Sequence, residues 1–141
     1  MTVPTLSIVM PVLNEAAGLG STLQALAPLA ERGVQLIVAD GGSSDGTAEV
    51  ARAAGATVIL SSRGRALQMN AGANHSSAGV LLFLHADTVL PIDADQLIAQ
   101  ALASGHTVWG RFDVRIAGQS PMLRLVAVTF WREKLSIELS V

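Results

Sequence analysis

The sequence predicts an α/β fold, a three-layer α/β/α arrangement around a mostly parallel sheet. Apolar runs of strand length alternate along the chain with alanine- and leucine-rich stretches of helix length, the order that builds parallel sheets. The strand runs are continuously apolar instead of alternating, as strands buried on both faces require. The segments that follow them are polar or glycine-rich, and two of the runs end in carboxylates, Asp40 and Asp87, which belong at the carboxyl edge of such a sheet.

Residues 6–12 read as the first strand and 16–31 as the helix after it. A second strand over 34–39 is bounded by Gly33 and by Gly41-Gly42. Residues 47–54 form a short helix that Gly55 can close. A short third strand covers 57–60, a helix 66–75 and a fourth strand 80–84. Residues 93–103 form a helix ended by Ser104-Gly105. Alternation over 107–116 predicts an antiparallel strand, and 122–135 a last helix. With no linker, repeat or low-complexity tract, the 141 residues are expected to form one domain.

Composition narrows the function. Half of the residues are apolar and 14% are charged, which excludes a disordered chain. A net charge of −2 offers no basic surface for nucleic acid or an anionic membrane. Without cysteine there is no disulfide frame and no thiolate metal site. The apolar N-terminus lacks a basic leader, and no run reaches the roughly 18 residues of a membrane span. A cytoplasmic protein is expected, with peripheral membrane contact through 121–131 as the variant.

Four segments carry the chemistry. In LLFLHADTVLP a buried strand runs into His85-Ala86-Asp87-Thr88. Asp87 there suits a divalent cation held against a phosphate, and His85 either shares the ion or only supports the loop. In QLIVADGGSSDGT, Asp40 ends another strand, Gly42 lets the loop approach a ligand, and loop amides could face an anion. Asp45 reads as a cap for the following helix. In PVLNE, Pro11 stiffens the strand end, Asn14 is the expected N-cap, and Asn14 and Glu15 face the same crevice. In RGRALQMNAGA, Arg63 and Arg65 oppose a helix dipole, so an anionic partner is expected. Gln68 and Asn70 read as polar helix-surface residues, Gly72 as a packing contact, and His75 and His106 as surface residues.

In this order and spacing, PVLNE, ADGGSSDGT, RGRALQMNAGA and LHADT resemble the family 2 glycosyltransferases of GT-A fold. The likeness is greatest to the bacterial branch in which Asp-x-Asp reads His-Ala-Asp, and it runs from Leu6 to about Arg124. It implies a nucleotide-diphospho-sugar donor, an acceptor of unknown identity, and Mg2+ or Mn2+. It implies that Pro11, Asn14 and Glu15 line the nucleoside pocket and that Asp40 contacts base or ribose. It further sets Arg63 to Arg65 near base and phosphates and makes Asp87 the metal ligand of the motif.

Relatives of that branch continue for roughly another third of a domain and carry a Gly-Asp-Gln motif that has no match here. The resemblance therefore implies a C-terminally truncated domain with an incomplete acceptor region. The apolar helix over 122–135 would then stay exposed or be covered by self-association. The expected reaction is metal-assisted sugar transfer to a hydroxyl, with inversion, which needs a general base. Glu133 and Glu138 are the only late carboxylates, and neither is assigned that role. A non-catalytic or partner-dependent nucleotide-sugar-binding fragment is the alternative. A nucleotidyltransferase fits less well, because its first loop usually carries glycine and a cation, whereas Leu13-Asn14-Glu15-Ala16 is acidic.

Overall fold

The protein is described by a computed structural model over residues 5–103, 110 and 112. Its elements run β1 (Leu6–Val12), α1 (Ala16–Glu31), β2 (Gln35–Asp40), α2 (Thr47–Ala53), β3 (Thr57–Leu60), α3 (Arg65–His75), β4 (Val80–Phe83) and α4 (Ala94–Leu102). The expected elements up to residue 103 are all present, with ends moved by at most one residue. The strand expected over 107–116 and the helix over 122–135 lie outside the described residues. The chain divides into two compact units, Met1–Asp95 and Gln96–Val141. The first contains the whole described sheet.

That sheet has four parallel strands in the order β3-β2-β1-β4. The chain steps outward from β1 to β2 to β3, then returns to the other side of β1. Right-handed crossovers therefore put α1 and α2 on one face and α3 on the other. Accordingly α1 packs with α2, and α3 packs on β1 and β2. The order reverses between β1 and β4, the place where open α/β sheets bind ligands beyond their carboxyl ends.

The core follows from the apolar runs. Ile8, Val9, Met10, Ile37 and Val38 are fully buried in the central strands. Helix α1 presents Leu19, Leu23, Leu26 and Leu29 on one stripe, at the spacing that keeps a helix face turned inward. The polar exceptions are bonded. Buried Ser7 donates to Gln35 Oε1 at 2.7 Å and accepts from Ser76 Oγ at 2.7 Å. This cluster lies at the amino edge, away from the loops of interest.

The two edges of β1 end differently. Towards β2 the register continues to Val12↔Asp40, and the Gly41 amide still donates to Val12 O at 3.0 Å. Towards β4 it stops at Val9↔Phe83, closed by Leu84 N–H donating to Val9 O at 3.0 Å. The next rung on that edge requires an N–H from Pro11, which proline lacks. So β1 releases the β4 chain at Leu84, and residues 85–88 diverge. Thr22 of α1, itself buried, then donates its hydroxyl to Ala86 O. At the far end of the loop, Arg32 donates to both carboxylate oxygens of Asp95, at 2.7 and 2.8 Å, and to Ile92 O at 2.6 Å.

Helix α3 approaches β1 through Gly72. A Cβ there would lie 2.2 Å from Val9 Cγ1, so the packing contact expected of this glycine is present. Gly72→Ala is expected to destabilise the protein by about 1–3 kcal/mol, since overpacking outweighs the helix propensity gained. A urea midpoint at or above that of the wild type would contradict this contact. Val9→Ala in the same chain should recover part of the loss.

Candidate functional site

All four strands are parallel, so the loops after them open on one edge. These are residues 13–15, 41–46, 61–64 and 84–93, which hold Asn14, Glu15, Gly42, Arg63, His85 and Asp87. Pro11 and Asp40 sit in the last turns of their strands, and Arg65 opens α3.

The first two loops are interlocked. Asn14 takes the left-handed conformation at φ 54, which asparagine tolerates better than most residues. Its Oδ1 accepts the Ser44 amide at 2.9 Å, and its own amide donates to Ser43 Oγ at 2.9 Å. The Glu15 amide donates to Thr47 Oγ1 at 2.9 Å, and the Ala16 amide to Asp45 Oδ2 at 3.1 Å. The N-cap position of α1 is Glu15, with no side-chain cap of its own. The expectation that Asn14 caps α1 is therefore corrected. The second loop already offers oxygens to those amides, and Asn14 is freed to tie the loops together.

The N-cap position of α2 is Gly46, with no side-chain cap hydrogen bond, so Asp45 acts from one residue before it. Its Oδ1 accepts the Thr47 amide at 3.1 Å and the Thr47 hydroxyl, while Oδ2 reaches α1. The hydrogen bond from Thr47, followed by the backbone amides, holds this carboxyl below the usual carboxylate range.

Asp40 is the buried carboxylate of the edge, 1% exposed. Its Oδ1 accepts the amides of Gly42 and Ser43, at 3.0 and 2.8 Å, and Ser43 Oγ at 2.7 Å. Its Oδ2 has no hydrogen-bond donor among the described residues. A buried carboxylate oxygen left this way favours a ligand N–H or O–H. Gly42 meets the tight return of the loop with φ 93, a conformation that suits glycine. The loop amides do not face an anion as expected. Those of Gly42 and Ser43 serve Asp40, that of Ser44 serves Asn14, and that of Thr47 serves Asp45.

His85 and Asp87 are both exposed in the turn after β4, which the Thr88 amide closes on His85 O at 3.1 Å. Among the described residues no three His, Cys, Asp or Glu side chains gather into a metal cage. A single exposed carboxylate still fits magnesium or manganese, which are commonly held by one or two carboxylates together with substrate phosphates. Arg63 and Arg65 are exposed and make no ion pair among the described residues. They flank Gly64 in the loop after β3, and the Gly64 amide lies 3.4 Å from Gln68 Oε1. The structure thus joins Asn14 to the Asp40 loop directly. It brings the backbone between the two arginines to the Gln68 carboxamide beside the ends of β1 and β2. Glu133 and Glu138 lie outside the described residues.

Two supporting residues were not expected. Thr22 stands on the apolar stripe of α1, and a lone polar residue on such a stripe is the sign that marks it. Gln68 is buried, not on the helix surface as expected. It lies four residues before Gly72, hence on the same helix face, and the close approach of Gly72 carries it against the sheet. Asn70 and His75 are exposed as expected.

Residues 7–137 match the family model described as Glycosyl transferase family 2. No curated protein matches the chain in sequence. Among solved structures, S. aureus TarS 1-349 is similar in fold, with a TM-score of 0.71 at 16% identity over 82% of this chain and 37% of that one. Glucosyl-3-phosphoglycerate synthase from M. tuberculosis has a TM-score of 0.68 at 27% identity, over 79% of this chain and 46% of that one. Its complex with Mn2+, uridine-diphosphate and glucosyl-3-phosphoglycerate has a TM-score of 0.65 at 26% identity, covering 77% and 44%. The chain thus spans less than half the length of these structures.

Asp45 yields a pH-dependent prediction. Its folded pKa is lowered, so its contribution is fully present above the unfolded value of about 3.9 and is lost as pH falls through the folded value. Asp45→Asn keeps one acceptor oxygen where two are used. The variant is expected to be less stable at neutral pH, with the gap to wild type narrowing under acid. Denaturant midpoints at pH 7 and pH 3 measure this, and an unchanged gap would contradict the capping role.

Proposed function

We propose that this chain, which belongs to glycosyl transferase family 2, binds a nucleotide-diphospho-sugar at the carboxyl edge of its sheet and transfers the sugar to an acceptor hydroxyl. The observation that carries the reading is Asp40, a buried strand-end carboxylate with one oxygen fixed by its loop and the other without a hydrogen-bond donor among the described residues. In this reading the residues from 7 to 137 work as one GT-A domain.

Asp40 accepts from the base or ribose, and its three loop donors hold it in one orientation for that task. Pro11, Asn14 and Glu15 line the nucleoside side, with Gly42 giving close access. Arg63 and Arg65, exposed and unpaired among the described residues, meet negative charge on the nucleotide. Asp87 would hold a divalent cation, with His85 beside it, and the chemistry such a cation would supply is positive charge against the diphosphate. The complex of M. tuberculosis glucosyl-3-phosphoglycerate synthase with Mn2+ and uridine-diphosphate supports both donor class and metal. In the transfer, an acceptor oxygen bonds to the anomeric carbon while the bond from that carbon to the diphosphate breaks. The hydroxyl proton goes to a general base, and the sugar inverts.

Among the described residues no helix is long and apolar enough to cross a bilayer. Donor binding without transfer to any acceptor would favour the reading as a partner-dependent nucleotide-sugar-binding module.

Calorimetry with uridine-diphosphate and guanosine-diphosphate, in manganese and in EDTA, tests the proposal. Binding is expected to be tighter with manganese. Asp87→Asn should abolish the metal-dependent part and leave the metal-free part intact. Asp40→Ala should weaken both by on the order of 1 kcal/mol, the cost of one lost hydrogen bond. If no nucleoside diphosphate shows metal-dependent binding, or Asp87→Asn titrates like wild type, the metal assignment fails.

A further inference from the structure

We propose that Gln68 is a positioning residue of the donor site, whose carboxamide clasps the carboxyl ends of β1 and β2 and thereby fixes the spacing of the loops that carry Asn14, Glu15 and Asp40. The proposal rests on the donor-site reading above.

Gln68 is 5% exposed. Its Nε2 donates to Val12 O at 2.7 Å and to Ala39 O at 2.9 Å, which uses both amide hydrogens. Val12 is the last residue of β1, and Ala39 directly precedes Asp40. The Oε1 atom faces the Gly64 amide at a long 3.4 Å, between Arg63 and Arg65. One side chain thus touches the backbone leading into three loops of the edge.

Satisfying a stranded carbonyl does not account for this arrangement. Val12 O already accepts the Gly41 amide at 3.0 Å, so an aliphatic residue at position 68 would not leave that oxygen bare. The amide adds a second bond on its remaining lone pair and couples two strands at the point where their loops depart. Rotation of the clasp is blocked, because both donors are engaged.

Gly41 makes the clasp fit. It is not among the residues with positive φ, so its backbone does not demand glycine. Its space does. A Cβ at position 41 would sit 3.0 Å from Gln68 Cδ and Oε1 and 3.1 Å from Nε2. That carboxamide is held by hydrogen bonds of 2.7 and 2.9 Å, and the small shift that would admit a Cβ strains both. Gly41 and Gln68, from a loop and a helix, therefore form one device.

Three variants test it: Gln68→Leu removes the donors at similar volume, Gly41→Ala keeps Gln68 but takes its space, and the third combines both. The readouts are uridine-diphosphate affinity in manganese, measured below each melting transition, and hydrogen exchange at the Asn14, Gly42 and Ser43 amides. Each single change is expected to weaken binding about tenfold, equivalent to about 1.4 kcal/mol, and to speed exchange at those amides. The double variant should lose no more than either single one, because both act on the same contact. A purely structural role would lower the melting temperature and leave affinity unchanged in the folded protein. That result in either single variant, or additive losses in the double one, would overturn the proposal. If Gln68→Leu does not fold, Gly41→Ala carries the test alone. If the wild type binds no nucleoside diphosphate, the donor-site reading fails first. Exchange rates in Gly41→Ala then decide the clasp, and unchanged rates refute it.

Discussion

Pro11 cannot donate a main-chain hydrogen bond, and it stands where β1 would next hold β4. The β4 side of the carboxyl edge is arranged around that missing rung. On its other side β1 stays bonded to β2 through the Val12 and Asp40 pair, and Gln68 adds a clasp across the two strand ends. The sheet is thus held shut between β1 and β2 and is released between β1 and β4. That release coincides with the reversal in strand order, where the geometry of crossovers leaves a crevice. The diverging chain is then caught by Thr22 at Ala86 and by Arg32 at Asp95. The turn bearing His85 and Asp87 is therefore pinned from within at Ala86, and the loop is held again at Asp95.

The other half of the edge is rigid for a different reason. Helix α1 lacks a capping side chain of its own, and its first amides are served by Thr47 and Asp45 from the neighbouring loop. Asn14 closes the exchange from the other direction. These bonds spend the polar groups of the loop on one another. What they leave without a donor among the described residues is one oxygen of Asp40, directed by three donors on its twin. In the proposed donor site, a fixed acceptor at one end and an exposed carboxylate at the other span a ligand that has both donors and phosphates. Packing of Gly72 against Val9 carries this order into the core, since α3 must lie flat on β1 for Gln68 to reach both carbonyls.

The fold was legible because its signals are local. Continuous apolar runs marked all four described strands, and the leucine stripe of α1 fixed its length. The ends of the strands, and the carboxylates on them, followed from the same runs. Contacts made across loops were not legible. Asn14 has every local property of an N-cap, and only a neighbouring loop that already supplies oxygens turns it to another use. Gln68 sits in a polar helix whose pattern suggests a solvent-facing side chain, and its burial is dictated by a glycine one turn later. Pro11 looked like a stiffener. Its greater effect depends on which strand lies beside it, and strand order is a property of the whole sheet. Gly41 and Gly42 are adjacent and alike in sequence, yet one is required by its φ angle and the other by a side chain that approaches it.

In the proposed site the donor runs along the carboxyl edge from Asp40 at the end of β2, with its cation at the mouth between β1 and β4. Manganese relaxes nearby nuclear spins, so amide spectra recorded with uridine-diphosphate and substoichiometric Mn2+ locate the ion directly. The account predicts selective broadening centred on the amides of His85, Asp87 and Thr88, weaker broadening at Leu13 to Glu15, and sharp signals at the amino edge around Gln35, Thr57 and Val80. Broadening centred on the amino edge, or spread evenly over the surface, would contradict it.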